Sequence, residues 1–226
     1  MALLLQIETA TTACSVALAQ NGNLLVVKEL NERNIHAEVI TLFIEEVMTT
    51  SGKQLSELDG IAVSSGPGSY TGLRIGVSTA KGLCFALDKP LIAIETLQAM
   101  AAGISSSIND TDVLLCPMID ARRMEVYTAI FDIQGDRVKS TSAEIIDENS
   151  FAELLHHQKV LFFGDGAAKC KTVLSQQPNA LFDDNFINSA RHLTSPAAHR
   201  FTTAQFEDLA YFEPFYLKDF VAGKKA

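Results

Sequence analysis

The amino-acid sequence predicts an α/β protein built as two lobes of one architecture. Three observations carry that reading. Strand-like apolar runs alternate with helix-like stretches through the chain. The pattern restarts after the polar segment 105–110, so the halves 1–106 and 107–226 read as two copies. Hydrophobic residues make up 47% of the 226 and charged residues 20%, which is enough apolar side chain for a core and excludes intrinsic disorder as the main state.

In the first half, 3–8, 14–19 and 24–30 are apolar runs separated by short polar turns, and Asn21-Gly22-Asn23 is a hairpin signal. A helix is expected over 36–48, then a strand at 60–65 leading into the glycine-rich turn 64–69. Helix 71–87, strand 91–94 and helix 96–104 complete the unit. In the second half, strands are expected at 113–120, 125–132 and 137–145, a helix at 150–157, and a strand at 160–163 that meets the turn Gly164-Asp165-Gly166. The helices of this half are the weaker signals.

The correspondence reaches single residues. Ile7-Glu8-Thr9 matches Ile119-Asp120-Ala121, and Gly22 and Gly135 follow those acids by 14 and 15 residues. Gly66 and Gly164 each follow a later strand. Near the end, 204–209 has mixed helical character, and the aromatic segment 211–217 is expected to pack back onto a lobe. Residues 221–226, with Lys224 and Lys225, read as a solvated, mobile end.

Charge and cysteine usage narrow the class. Lys and Arg total 18 against 27 Asp and Glu, a formal charge of -9, so the chain is poorly suited to hold a nucleic acid backbone unaided. The first residues lack a basic stretch, and no run approaches the ~18 apolar residues of a membrane span. Cys14, Cys84, Cys116 and Cys170 are scattered in apolar contexts, as expected of reduced, buried thiols in a cytoplasmic protein.

The most unusual run is Gly66-Pro67-Gly68-Ser69-Tyr70-Thr71-Gly72-Leu73-Arg74-Ile75-Gly76. A Gly-Pro-Gly turn leaving a buried strand brings backbone close to whatever lies above the sheet, and free N–H groups at the following helix start attract anions. On spacing alone, glycines that serve tight packing are the preferred reading. Glu8 and Asp120 can face each other across a cleft and hold a magnesium-bound water. The preferred alternative is two strand-end acids that accept hydrogen bonds from turn amides. No two of His36, His156, His157, His192 and His199 stand four apart, so no helix presents a metal-binding pair. His36 is expected at the start of the first helix, as a surface or capping residue rather than a ligand.

The two long helices of the first half carry excess apolar surface. In 36–48, Ile40, Ile44 and Val47 share a stripe, with Phe43 beside it. In 71–87, Gly72, Gly76 and Ala80 recur every four residues, as do Ser78, Gly82 and Ala86, a spacing that admits another helix closely. Ile40, Phe43, Ile44, Val47, Gly72, Ile75, Gly76, Thr79 and Leu83 are therefore the expected partner face. Gly76→Leu is expected to block the partner while leaving the chain folded.

The run 66–74 resembles the signature of the TsaB family, formerly labelled glycoprotease-like. Ile7-Glu8-Thr9 with Cys14-Ser15-Val16-Ala17-Leu18, Ile119-Asp120-Ala121-Arg122 with Glu125-Val126-Tyr127, Gly164-Asp165-Gly166-Ala167 and Pro214-Phe215-Tyr216-Leu217 add to the resemblance in the right order. It implies an actin-like ATPase (ribonuclease H-like) fold, each lobe a mixed sheet flanked by helices. It also implies a non-catalytic scaffold that pairs through its first lobe with a TsaD-like transferase in tRNA threonylcarbamoyladenosine synthesis. A TsaE-like ATPase would join a ternary complex, a homodimer would use the same lobe, and tRNA would be reached only indirectly.

The resemblance implies no required cofactor. The family usually has Asp where Glu8 stands, Gly where Met124 stands and Arg where Lys218 stands, and the hairpins 8–13 and 120–125 lack glycines. Glu8, Thr9, Asp120, Gly164 and Gly166 are the candidates for a vestigial nucleotide cleft. The alternative function is an ATPase or small-molecule kinase that uses this cleft.

Overall fold

Each lobe begins with three antiparallel strands because short turns leave the chain no other way to continue. In the computed structural model, which describes residues 2–218, these are β1 (Leu3–Glu8), β2 (Ala13–Gln20) and β3 (Asn23–Asn31). Asn21 and Gly22 make the β2–β3 turn with positive φ at both residues, the two-residue geometry whose twist suits a hairpin. β1 is buried along its whole length, Gln6 and Glu8 included, whereas β3 is an exposed edge.

Helix α1 (His36–Ser51) returns the chain to β4 (Gly60–Gly66), which pairs parallel with β1. Gly52 ends α1 in the left-handed region and donates to the Met48 and Thr49 carbonyls. Helix α2 (Tyr70–Leu87), capped by Ser69, leads to β5 (Leu91–Glu95) and then α3 (Thr96–Ser105). The sheet order is β3-β2-β1-β4-β5.

The second lobe repeats this plan with β6 (Leu114–Asp120), β7 (Glu125–Phe131), β8 (Arg137–Ile145), α4 (Ala152–His157), β9 (Val160–Phe163), α5 (Ala167–Leu174) and β10 (Ala180–Asp183). Its order, β10-β9-β6-β7-β8, is that of the first sheet read from the other edge. Gly66 and Gly164 occupy equivalent turns, with φ of 112° and 98°. α4 and α5 span 6 and 8 residues against 16 and 18 for α1 and α2, which explains why this copy is harder to read from sequence.

One face of the first sheet packs under α1 and α2, where Leu5, Ile7, Val16, Leu18, Ile61 and Val63 meet Ile40, Ile44, Val47 and Val77. The opposite face is covered by residues from the second half. Ala190, Leu193 and Ala197, on the turn Ala190–Leu193 and helix α6 (Thr194–Thr202), pack with Leu4, Ala17, Ala62, Ile92 and Ile94. Residues 188–202 thus belong by packing to the first lobe, because that face carries apolar side chains its own half leaves uncovered.

The helix near the end is displaced from its expected position. Residues 204–209 are not helical; Glu207 instead bridges to Leu91 at the sheet edge. The helix lies at 194–202, with Pro196 in its first turn, where a missing N–H costs nothing. The aromatic tail does pack back: Phe215 N–H donates to Ser65 at 2.7 Å, and Phe212 joins the first core. Residues 221–226 lie outside the described residues. All four cysteines are free and buried, and burial pushes the Cys14, Cys84 and Cys116 thiols up to about 12. No helix of the described residues is long and apolar enough to cross a membrane.

Candidate functional site

The two strand-end turns that flank the inter-lobe cleft are built alike. Glu8 Oε1 accepts from Ala10 N at 2.6 Å, and Asp120 Oδ1 accepts from Arg122 N at 2.9 Å. Ala13 N donates to Thr11 Oγ1, and Ala121 N donates to the Glu125 carbonyl. These turn amides are therefore engaged within the chain rather than presented to a ligand.

Glu8 does not face Asp120 across the cleft. Its carboxyl group is wholly buried behind the β1–β2 turn, where it also accepts from Ser64 Oγ at 2.9 Å, and burial pushes its pKa up to about 7. Its Oε2 and the Asn188 Nδ2 atom are both buried without a hydrogen-bond partner. Asp120 is exposed and pairs with Lys169 at 2.5 Å. The physical reason for the separation is volume: Thr9 and Ala10 seat against α2, leaving Glu8 enclosed.

The glycines of 66–76 make that seating possible. A Cβ on Gly68 would collide with the Ala10 carbonyl oxygen, one on Gly72 with the Thr9 carbonyl oxygen, and one on Gly76 with Thr9 Oγ1. Thr9 Oγ1 donates to the Gly72 carbonyl at 2.8 Å, and Ser69 N donates to Ala10 at 2.7 Å. α2 thus occupies the space beside the first turn. Gly164 and Gly166 play the same part in the second lobe, where added Cβ atoms would meet Met118 and Ile119 of β6.

The cleft itself measures about 800 Å³. Of Glu8, Thr9, Asp120, Gly164 and Gly166, only Asp120 lines it. The structure adds cleft-lining residues that the sequence does not mark as such: Arg33, Tyr70, Arg122, Tyr127, Asp165, Tyr216 and Lys218. Tyr70 and Tyr216 have ring centroids 4.6 Å apart, Arg74 lies 4.1 Å over the Tyr70 ring, and Lys218 pairs with Glu125 of β7. The tail thereby spans from α2 to the second lobe. His36 is buried, not on the surface: its Nε2 lies 2.9 Å from the Thr11 carbonyl, tying the start of α1 to the first turn.

The helix face beside the cleft divides in two. Ile40, Ile44, Val47, Gly72 and Gly76 are buried against their own sheet or Thr9. Phe43, Ile75 and Leu83 are half-buried and pack on the core, as does the flank bearing Thr79. The outward residues are Leu42 at 58% and Phe85 at 83% exposure, together with Ser78, Gly82 and Ala86. Of the two small-residue stripes on α2, one fits the chain's own turn and the other is open; nothing lies within 4 Å of a Cβ placed on Gly82. Gly76→Leu would therefore strike Thr9 and disturb folding, contrary to the sequence-based expectation. Hydrophobic periodicity marks the stripes but not which of them the sheet covers.

Relatives give these features a family. The family model for TsaD, tRNA N6-adenosine threonylcarbamoyltransferase, matches residues 26–223. The Escherichia coli tRNA threonylcarbamoyladenosine biosynthesis protein TsaB is 31% identical, covering 98% of this chain and 97% of its own length. This chain belongs to the TsaB family. A solved Pseudomonas aeruginosa structure, described as an uncharacterized protein with similarity to peptidase YEAZ, superposes on this member of the TsaB family with a TM-score of 0.83 at 26% identity. It covers 96% of this chain and 100% of that one. The Acidaminococcus fermentans (R)-2-hydroxyglutaryl-CoA dehydratase component A, with a TM-score of 0.53 at 9% identity over 91% of this chain and 100% of its own, shares the fold alone. The chain thus has the actin-like ATPase fold: two lobes, each with a five-stranded mixed sheet flanked by helices.

Proposed function

We propose that this chain is a non-catalytic subunit of tRNA N6-threonylcarbamoyladenosine synthesis that binds and stabilises a TsaD-like transferase through the outer faces of α1 and α2. The exposure of Leu42 on α1, and of Phe85 on α2 beside the open Ser78, Gly82 and Ala86 stripe, carries this reading. Large apolar side chains flanking small residues let a partner helix approach closely and bury the flanks, at roughly 1.5–3 kcal/mol for each large side chain. The TsaD-like partner would supply the metal, the transferase chemistry and most of the RNA surface. A TsaE-like ATPase would join this pair, and a second copy of this chain would occupy the same face when the partner is absent.

Calorimetry of this chain with the TsaD-like subunit of the same organism tests the reading. A tight complex is expected, and Leu42→Asp with Phe85→Asp should weaken it by about a hundredfold or more, since both charges would be desolvated at the interface. Both positions are exposed, so the variant should melt as the unaltered chain does. Normal affinity in the folded variant would move the contact elsewhere.

The ATP-dependent alternative gains no support from the amides of Ala10, Ala13, Ala121 and Arg122, which already have partners within the chain. Titration of the isolated chain with magnesium and ATP is expected to release no binding heat. Saturable heat lost in Asp120→Ala would restore that alternative.

A further inference from the structure

Among the described residues, most cations of this acidic chain are neutralised or hydrogen-bonded in place. Among the described Lys and Arg side chains, only Arg33, Lys89, Arg122 and Arg123 form neither an ion pair nor a hydrogen bond. Lys89 lies past the far end of α2. Arg33 and Arg122 line the cleft from opposite lobes, and Arg123 is the exposed neighbour of Arg122 in the same turn. Arg122 and Arg123 both hold positive φ, 71° and 48°, a conformation side chains rarely adopt.

The acids nearby do not cancel this group. Lys169 neutralises Asp120 and Lys218 neutralises Glu125, which leaves Glu32 and Asp165 at the rim against three guanidinium groups. Planar guanidinium forks suit phosphate oxygens. A mononucleotide held by turn amides is disfavoured because those of Ala10, Ala13, Ala121 and Arg122 are engaged, and an acidic protein segment would make no use of the aromatic lining. Tyr70, Tyr127 and Tyr216 line the same cleft, Tyr70 and Tyr216 resting on each other with Arg74 over Tyr70, and rings grouped beside free arginines are the combination that holds an unpaired nucleic acid strand.

We propose that the cleft rim contacts the phosphate backbone of an RNA strand, through Arg33, Arg122 and Arg123, when the chain is assembled with its partner. The identity of the RNA as tRNA rests on the function proposed above. A chain of charge -9 is not a platform for RNA alone, so its few contacts add to those of the partner.

The test is titration of an unmodified tRNA transcript with the complex of this chain and its TsaD-like partner, from about 50 to about 200 mM salt. The unaltered chain is compared with Arg33→Gln/Arg122→Gln/Arg123→Gln, and complex assembly is followed in parallel by calorimetry. Assembly is expected to be unchanged, while tRNA affinity falls about tenfold or more and the slope of log affinity against log salt falls by about 2 to 3. Normal assembly with unchanged affinity and slope would reassign the arginines to an acidic protein segment and overturn the inference. Failure of the unaltered chain to assemble would overturn the docking proposal and this one with it.

Discussion

Gly72→Ala is expected to destabilise the folded chain by about 3 kcal/mol or more, a fall of roughly 10 °C in melting temperature. The new methyl group would overlap the Thr9 carbonyl oxygen and lie 3.3 Å from both the Thr9 carbonyl carbon and Ser69 Cβ. A flexible side chain could move aside, but this neighbour is backbone. It is held by the Ala10–Glu8 and Ser69–Ala10 hydrogen bonds, so relief requires unseating the β1–β2 turn from α2. Gly82→Ala on the same helix is the control: with nothing within 4 Å, it should stabilise by about 1 kcal/mol through helix propensity. Gly72→Ala melting with the unaltered chain would mean that the turn does not rest on the helix.

Glu8 supplies the second large effect, seen in the pH dependence of stability. Burial raises its pKa from 4.5 to about 7, so the folded chain binds this proton more tightly than the unfolded one. Its contribution favours folding below pH 4.5 and drains away as pH rises towards 7, by about 3 kcal/mol in all. His192 acts oppositely. Burial lowers its pKa from 6.5 to about 4, so its contribution is present above 6.5 and is lost as pH falls towards 4. Around pH 5 to 6 the two slopes oppose each other.

Denaturant unfolding from pH 4 to 8 separates them. Glu8→Gln should leave stability rising with pH up to about 6.5, with no decline towards 7. His192→Phe, which keeps the ring stack on Phe186, should expose the decline due to Glu8. The informative quantity is the slope, since Glu8→Gln also alters the surroundings of Asn188, whose side chain acts on the Glu8 carboxyl. Parallel profiles for Glu8→Gln and the unaltered chain would show that Glu8 titrates near its ordinary value.

The candidate site was only partly legible beforehand. The run 66–76 was marked by its glycines, and the preferred reading, packing, agrees with Gly68, Gly72 and Gly76 meeting Thr9 and Ala10. Glu8 and Asp120 were likewise read as acids that cap their own turns, which both do. The paired set across a cleft was not formed, because one acid is enclosed and the other open. Arg33, Tyr70 and Tyr216 were silent as site residues: they are far apart along the chain and converge only when both lobes and the tail close around the cleft.

By itself the sequence determined the two-lobed α/β plan and the repeated succession of strands and helices along the chain, because period-2 and period-3.6 apolar patterns and local turn chemistry are properties of short segments; the resemblance to the family rested on its motifs, above all the run 66–74. Only the tertiary structure decided which stripe of α2 is buried, where 188–202 packs, and which charges stay free. Each of those depends on which distant surface covers a residue. The Gly72 and Gly82 stripes look alike in sequence; one meets the backbone of Thr9 and the other meets open space.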